Sequence, residues 1–292
     1  MQINRRNILL GSGALLVSHY ARAADDETAV FWRVTPQGRK GAVLFGYVRI
    51  APAVVADVIR DGDALVDASD RVVLDMPPDV RFSTVGATRQ QLKPIAQVVS
   101  PATADRLRKF LSSTPAAAIS DRISGLETTM LLMGEGQHNS TVTAAGAIVD
   151  HARSAGKPID QLVSEAEIQS AWQQPDFVGL DNRIGEETVA YMLDLRDKVG
   201  PIGGYLEQLY RQRKAEEIER VTADMTSHGV VSPSQFLETD KVRELMLARA
   251  LDMLTRQADE ARFMTFPLGL LAGSSGLLAG FKAKGLTVAP RA

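Results

Sequence analysis

Three short segments of this chain end in side chains that could do chemistry at the end of a strand. Arg49 follows an apolar run at a Gly46-x-x-Arg49 spacing, and Asp75 closes the apolar run that starts at Arg71. The third segment, residues 263–278, carries a glycine- and serine-rich turn. Side chains at the carboxyl ends of strands reach the crevice where α/β sheets bind ligands, and glycine permits a close approach there.

The chemistry of Arg49 and Asp75 leaves alternatives open. A guanidinium has no lone pair, so Arg49 repels a cation and attracts a carboxylate or phosphate. We favour an ion pair between Arg49 and an internal acid such as Asp75 over a bound anion. Asp75 could ligate a metal, act as a base or cap the following turn. No second ligand is evident near it in the sequence, which favours the structural role.

The histidines and serines of the chain argue against several kinds of catalytic or binding site. His138, His151 and His228 lack the spacing of metal-binding histidine motifs. Residues 273–276, Gly-Ser-Ser-Gly, could bind an anion through backbone amides, but no P-loop lysine follows them. Ser274 stands outside a G-x-S-x-G context, which argues against a serine hydrolase. The sequence therefore predicts no cofactor and no metal.

Composition excludes further classes. The chain has 292 residues, of which 45% are hydrophobic, and a net charge of −2. Without a basic excess, a nucleic-acid-binding surface is not expected. Because the chain has no cysteine, disulfides, thiol nucleophiles and cysteine zinc sites are excluded.

The first 23 residues have the pattern of an export signal. Arg5 and Arg6 precede a modest apolar run at residues 8–17, and Ala21 and Ala23 form an A-x-A cleavage site. The paired arginines favour the twin-arginine route to the periplasm, while an ordinary secretory signal is the alternative. No later stretch is apolar for long enough to span a membrane. We predict a signal at 1–23 and one domain at 24–292.

Strand-like segments stand at both ends of the chain and helical segments fill its middle. This order predicts an α+β fold with a central mixed sheet from the two ends, surrounded by helices, and a long helical middle region. The predicted strands are 29–34, 41–46, 71–75, 261–266 and 286–288, with 80–84 as an edge-strand candidate and 157–159 as a short strand or link. The predicted helices are 53–68, 101–111, 114–133, 142–155, 164–172, 186–199, 205–226, 240–260 and 275–284.

Together these segments resemble the TraB/GumN family, which is similar to the Tiki-type metalloproteases. The opening FWRVTPQGRKGAVLFGYVRI resembles a first strand pair that ends in G-x-x-H, and DALVDASDRVVLDMPP resembles a segment that ends in an acid. AGKPIDQLVSEAEIQSAW and LARALDML resemble a middle block and an ERNxxM helix. FPLGLLAGSSGLLAGFKAKGLTVAP resembles the terminal GAGHLxGExGLL block and is the most specific match.

The departures from the family pattern fall on its functional positions. The resemblance places Arg49 and Leu270 where the family has its two histidines, and Val163 and Ser274 where it has two glutamates; Ala250 replaces an asparagine. Gly46, Asp75 and Arg249 persist, and Gly269 precedes the second histidine position. Since both histidines and an acid are lost together, the resemblance implies a site that no longer holds a divalent metal. It also implies that Arg49 and Leu270 face each other across one crevice near Asp75.

The main functional hypothesis is an exported, non-catalytic relative that binds, scaffolds or regulates in the cell envelope. The alternatives are a hydrolase that uses relocated residues such as Asp75, Arg49 and Ser274, and an accessory factor for exopolysaccharide assembly, which the family name alone suggests. An envelope protein or a polysaccharide is the candidate partner. The sequence does not identify a substrate.

Overall fold

A computed structural model describes residues 29–76, 92–138, 140, 142–171, 176–231, 239–256 and 259–291. The predicted export signal, with Arg5, Arg6, Ala21 and Ala23, lies outside these residues, as does the candidate strand at 80–84. Within the described residues no helix is both long and apolar enough to cross a membrane.

Six strands form one mixed sheet, as the predicted α+β fold requires. The strand order is β4-β3-β5-β2-β1-β6, so β5 lies at the centre although it comes late in the chain. Neighbours among β2, β3, β4 and β5 are parallel, and β1 is antiparallel to both β2 and β6. The strands are β1 (Phe31–Thr35), β2 (Ala42–Tyr47), β3 (Arg71–Leu74), β4 (Ile159–Gln161), β5 (Arg262–Pro267) and β6 (Thr287–Arg291).

Helices fill the sequence between and after the strands. Short 3-10 helices cover Pro52–Val54, Ile95–Gln97 and Pro115–Ile119. The α-helices are α1 (Ala56–Asp67), α2 (Pro101–Leu111), α3 (Gly125–Gly134), α4 (Ala144–Ser154), α5 (Glu165–Ala171), α6 (Phe177–Arg183), α7 (Glu186–Val199), α8 (Ile202–Arg211), α9 (Ala215–Ser227), α10 (Asp240–Arg256), α11 (Leu268–Leu271) and α12 (Leu277–Ala283).

The sheet buries both faces because its strands are apolar on both sides, as parallel strands usually are. On one face Phe31, Phe45 and Phe263 contact each other, with ring centroids 4.9–6.4 Å apart, beneath the paired helices α1 and α4. On the other face Trp32 and Gly46 lie against α11. The four aromatic residues belong to one buried cluster, here called the sheet core.

A second buried cluster lies within the helical middle region. It is made by α2, α3, α7 and parts of α8 and α9, and Leu111, Leu132 and Met192 are among its members. We call it the helical core. Leu206 on α8 packs against both clusters, so this helix joins the two parts of the molecule.

Two long helices predicted from the sequence are each divided in the structure. The predicted helix at 114–133 is a 3-10 turn and then α3, because Ser124 and Glu127 form a capping box that starts a new helix. The predicted helix at 205–226 is α8 and α9, separated at Arg213, whose φ of 59° is left-handed. Helices α6 and α11 were not predicted.

Candidate functional site

The carboxyl ends of four parallel strands gather at one edge of the sheet. In register, Tyr47 of β2 lies beside Pro267 of β5, and Leu74 of β3 lies beside Gln161 of β4. The residues that follow these strands therefore meet at this edge, which is where α/β sheets bind ligands. We call it the carboxyl edge.

Asp75 is the buried acid of the carboxyl edge, with only 4% of its surface exposed. The Tyr47 hydroxyl donates a hydrogen bond to Asp75 Oδ2 at 2.9 Å. The Thr265 hydroxyl donates to Asp75 Oδ1 at 3.0 Å, and the Asp75 backbone N–H lies 3.4 Å from the same hydroxyl oxygen. One carboxylate thus ties together β3, β5 and β2, three adjacent strands.

Burial decides the protonation of this acid. Removal from water disfavours the charged carboxylate and raises the pKa of Asp75 to about 6, while the hydrogen bonds from Tyr47 and Thr265 oppose the shift. An acid with a pKa near neutrality can accept or give up a proton under physiological conditions.

A second tyrosine supports the corner after β2. Tyr210 on α8 is fully buried, and its hydroxyl donates to the Gly46 carbonyl oxygen at 2.9 Å. A Cβ added at Gly46 would lie 2.7 Å from a Leu268 side-chain carbon and 2.9 Å from the Trp32 ring. Close packing therefore requires glycine at position 46, and the Tyr210 hydrogen bond fixes the backbone at this corner.

The predicted ion pair between Arg49 and Asp75 is not what the structure has. Both Asp75 oxygens are taken by hydroxyl groups, which satisfy a buried carboxylate without a second charge. Arg49 is exposed, and within the described part of the chain it makes no hydrogen bond or ion pair.

The predicted meeting of Arg49 and Leu270 across a crevice is also wrong. Leu270 on α11 is fully buried in the sheet core, whereas Arg49 points outward. The apolar side chain packs inward because burial of a leucine is worth about 1.5–3 kcal/mol. Gly269 beside it is half-buried.

The remaining candidate residues, Val163, Ser274 and Ala250, differ from Asp75 in chemistry. Val163 follows β4 and is buried in the sheet core. Ser274 is exposed in the turn that precedes α12. Ala250 on α10 is fully buried. None of the three provides a charged or metal-binding group beside Asp75.

Arg249 is occupied by a neighbouring helix. Its guanidinium donates a hydrogen bond to Glu167 on α5, and half of its side chain is exposed. Glu167 also accepts from the Ser164 backbone and side chain, at 2.9 and 2.8 Å, in a capping box at the start of α5. These bonds, with Ser164 first and Arg249 next, lower the pKa of Glu167 to about 2. Arg249 therefore fastens α10 to α5.

The described donor set at the carboxyl edge does not suit a divalent metal. Such ions take several oxygen, nitrogen or sulfur ligands, and among the described residues Asp75 is the one buried carboxylate here. Among the residues that the structure describes, no three histidine, aspartate or glutamate side chains come together in a group that could hold a metal.

Three residues of this site were not predicted from the sequence. Tyr47 is adjacent to Gly46, and Thr265 is the one polar residue inside the apolar strand FMTF, so each carried a weak signal. Tyr210 lies in a charged amphipathic helix, 164 residues from Gly46, and nothing local marks it.

The model of the TraB/PrgY/gumN family matches residues 30–290, nearly the whole chain. No curated protein and no solved structure matches this chain significantly.

Proposed function

This chain belongs to the TraB/PrgY/gumN family, and from that premise we propose that it is an exported, non-catalytic member that binds or scaffolds in the cell envelope. The observation that carries the proposal is the set of hydrogen bonds that Asp75 accepts. Its two oxygens accept hydrogen bonds from Tyr47 and Thr265, at 2.9 and 3.0 Å, and it joins three strands. An acid used in this way has a structural role, because it links the three strands.

The surrounding side chains support the same proposal. Arg49 repels cations, and the buried Val163 and Leu270 offer no lone pair. If the family's metal-dependent hydrolysis requires ligands at these positions, as its resemblance to the Tiki-type metalloproteases implies, this chain cannot supply them.

Metal binding is the direct test. The purified mature protein should contain no stoichiometric Mn, Co or Zn, and adding these ions should not raise its melting temperature, because a ligand of the native state stabilises by mass action. A melting-temperature rise with micromolar Mn or Co that Asp75→Asn abolishes, and that the exposed control Asp105→Asn retains, would overturn the proposal.

A rearranged hydrolase is the second candidate, and one observation favours it: the pKa of Asp75 near 6 suits a general base. A peptidase and esterase screen without added metal tests it. Activity that disappears with Asp75→Asn, while the variant keeps its circular dichroism spectrum, would establish this candidate in place of the first. Activity that persists would exclude Asp75 as the base.

Export is a separate part of the proposal. Arg5 and Arg6 ahead of the apolar run support the twin-arginine route. Arg5→Lys combined with Arg6→Lys should leave the precursor in the cytoplasm, whereas Arg22→Lys should not. Normal periplasmic accumulation of the double variant in cell fractions would exclude this route.

A further inference from the structure

A basic pocket opens at the opposite edge of the sheet, where β2 and β5 begin. It encloses about 130 Å³, and four basic residues, Arg33, Lys40, Arg262 and Arg291, are part of its lining. Arg262 contributes its backbone, because the strand register places its side chain on the other face of the sheet from Arg33 and Arg291. The apolar part of the wall comes from Leu65 and its neighbours at the end of α1 and from the start of β2. No acidic side chain lines this pocket among the described residues.

Two arginines of the pocket, Arg33 and Arg291, lie close together on the same face of the sheet. Arg33 on β1 lies beside Ala289 of β6, and Arg291 lies two residues further along, on the same face of the sheet. Diagonal neighbours of this kind are about 7–8 Å apart, within reach of long side chains, so the two positive charges repel each other. Neither guanidinium group makes a hydrogen bond or ion pair with another described residue.

The other two cations are held in place by acids outside the lining. Arg262 is almost fully buried, and its guanidinium donates to Glu260 Oε2 at 3.1 Å. That carboxylate also accepts a bond from Arg71 at 3.2 Å, so it is shared between two arginines. Lys40 Nζ lies 3.5 Å from Asp70. The cations around the pocket outnumber these acids, on a chain whose net charge is negative.

We propose that this pocket binds an oxyanion, a phosphate or carboxylate group of a small ligand. Two guanidinium groups offer paired donors that match the oxygens of either group, and an anion between Arg33 and Arg291 would relieve their repulsion. A water needs roughly 10–15 Å³ of such space, so the pocket has room for a group of several heavy atoms. The site lies at the edge opposite Asp75 and does not depend on the proposed function.

The test is a thermal titration of the mature protein with inorganic phosphate and, separately, with glucuronate. Sodium chloride keeps the ionic strength constant because salt alone screens charges. Once the ligand exceeds its Kd, each tenfold increase should raise the melting temperature by about 3 °C. A response to phosphate alone identifies a phosphate site, and a response to glucuronate alone identifies a carboxylate site.

The matched variants are Arg33→Gln with Arg291→Gln, and the control pair Arg108→Gln with Arg153→Gln, whose exposed arginines bind acids within their own helices. The first pair should lose the response and melt no lower than the parent protein without ligand, since a repulsion is removed. The control pair should keep the response. No response of the parent protein to either anion, or a response that survives Arg33→Gln with Arg291→Gln, would overturn the proposal.

Discussion

Two buried polar sites, one at the sheet core and one at the helical core, find their partners in opposite ways. In the helical core, Ser124 and Glu127 bond each other across three residues, and the Thr128 hydroxyl donates to the Ser124 carbonyl at 2.8 Å. In the sheet core, Asp75 depends on Tyr47 and on Thr265, which is 190 residues away. Local partners can form before the fold exists, whereas the partners of Asp75 meet only when three strands have assembled.

The two cores also differ in how they fill space. The sheet core packs Phe31, Phe45 and Phe263 against one another, while in the described part of the helical core Phe110 is the buried aromatic and aliphatic side chains do most of the packing. The contact between the two clusters through Leu206 is small compared with the packing inside either cluster. Truncating a buried side chain in each cluster tests whether the two cores unfold together.

The largest effect is expected from core truncation, and it tests this question. Phe45→Ala in the sheet core should lower the free energy of unfolding by about 3–5 kcal/mol, and Leu132→Ala in the helical core by about 2–5 kcal/mol. If the chain is one cooperative unit, each substitution lowers a single transition seen both by Trp32 fluorescence and by circular dichroism, in a Trp172→Phe background.

Two separated transitions would contradict the single-domain prediction. Such a result would take a definite form: Leu132→Ala would lower the circular dichroism transition and leave the Trp32 transition unchanged. The volume-conserving control Leu132→Met should cost less than about 1.5 kcal/mol.

The next effect concerns pH. Since burial raises the pKa of Asp75 to about 6 in the folded protein, from an ordinary 3.8, the folded state binds this proton more tightly than the unfolded chain does. The stability gained from binding this proton is complete below pH 3.8 and is lost as the pH rises through about 6. Relative to Asp75→Asn, the parent protein should lose up to about 1.4 kcal/mol per pH unit between these values.

Urea denaturation at a series of pH values measures this difference. Tyr47→Phe removes a hydrogen bond that lowers the pKa of Asp75, so it should move the midpoint of the pH dependence upward. Parallel stability curves for the parent protein and Asp75→Asn would show that the acid does not titrate in this range.

The smallest effect belongs to the helical core. Ser124→Ala removes the acceptor of the Glu127 backbone N–H and should cost about 1 kcal/mol, within the usual 0.5–2 kcal/mol of a helix cap. The exposed Ser112→Ala should change the free energy of unfolding by less than about 0.5 kcal/mol. A cost of Ser124→Ala that equals the Ser112→Ala control would refute the local role of the capping box.

The same contrast explains which features the sequence could predict. The strands at 41–46 and 261–266 and the helix at 101–111 could be predicted because apolar runs and capping residues are local signals. The break at Arg213 was not, since an arginine in left-handed conformation has no signature in sequence. It is stabilised by an ion pair with Asp61, which lies far away in the chain.

The candidate site shows the same difference between local signals and long-range contacts. Gly46 and Asp75 were found from their places at strand ends, and the structure brings both to the carboxyl edge. The pairing of Asp75 was predicted wrongly because charge attraction suggested Arg49, whereas the strand register places Tyr47 and Thr265 nearer. Position along a strand can be read from one segment, but a partner requires the register of two.

The central place of β5 has a consequence for synthesis of the protein. This strand separates β3 from β2, yet residues 262–267 are synthesised after every other strand except β6. A nascent chain can form helices α1 to α9 earlier, but the sheet has no central strand until β5 has been made. The edges of β2 and β3 that face β5 therefore stay unpaired while the helical middle region is synthesised, a period in which nascent chains are exposed to aggregation and to chaperones.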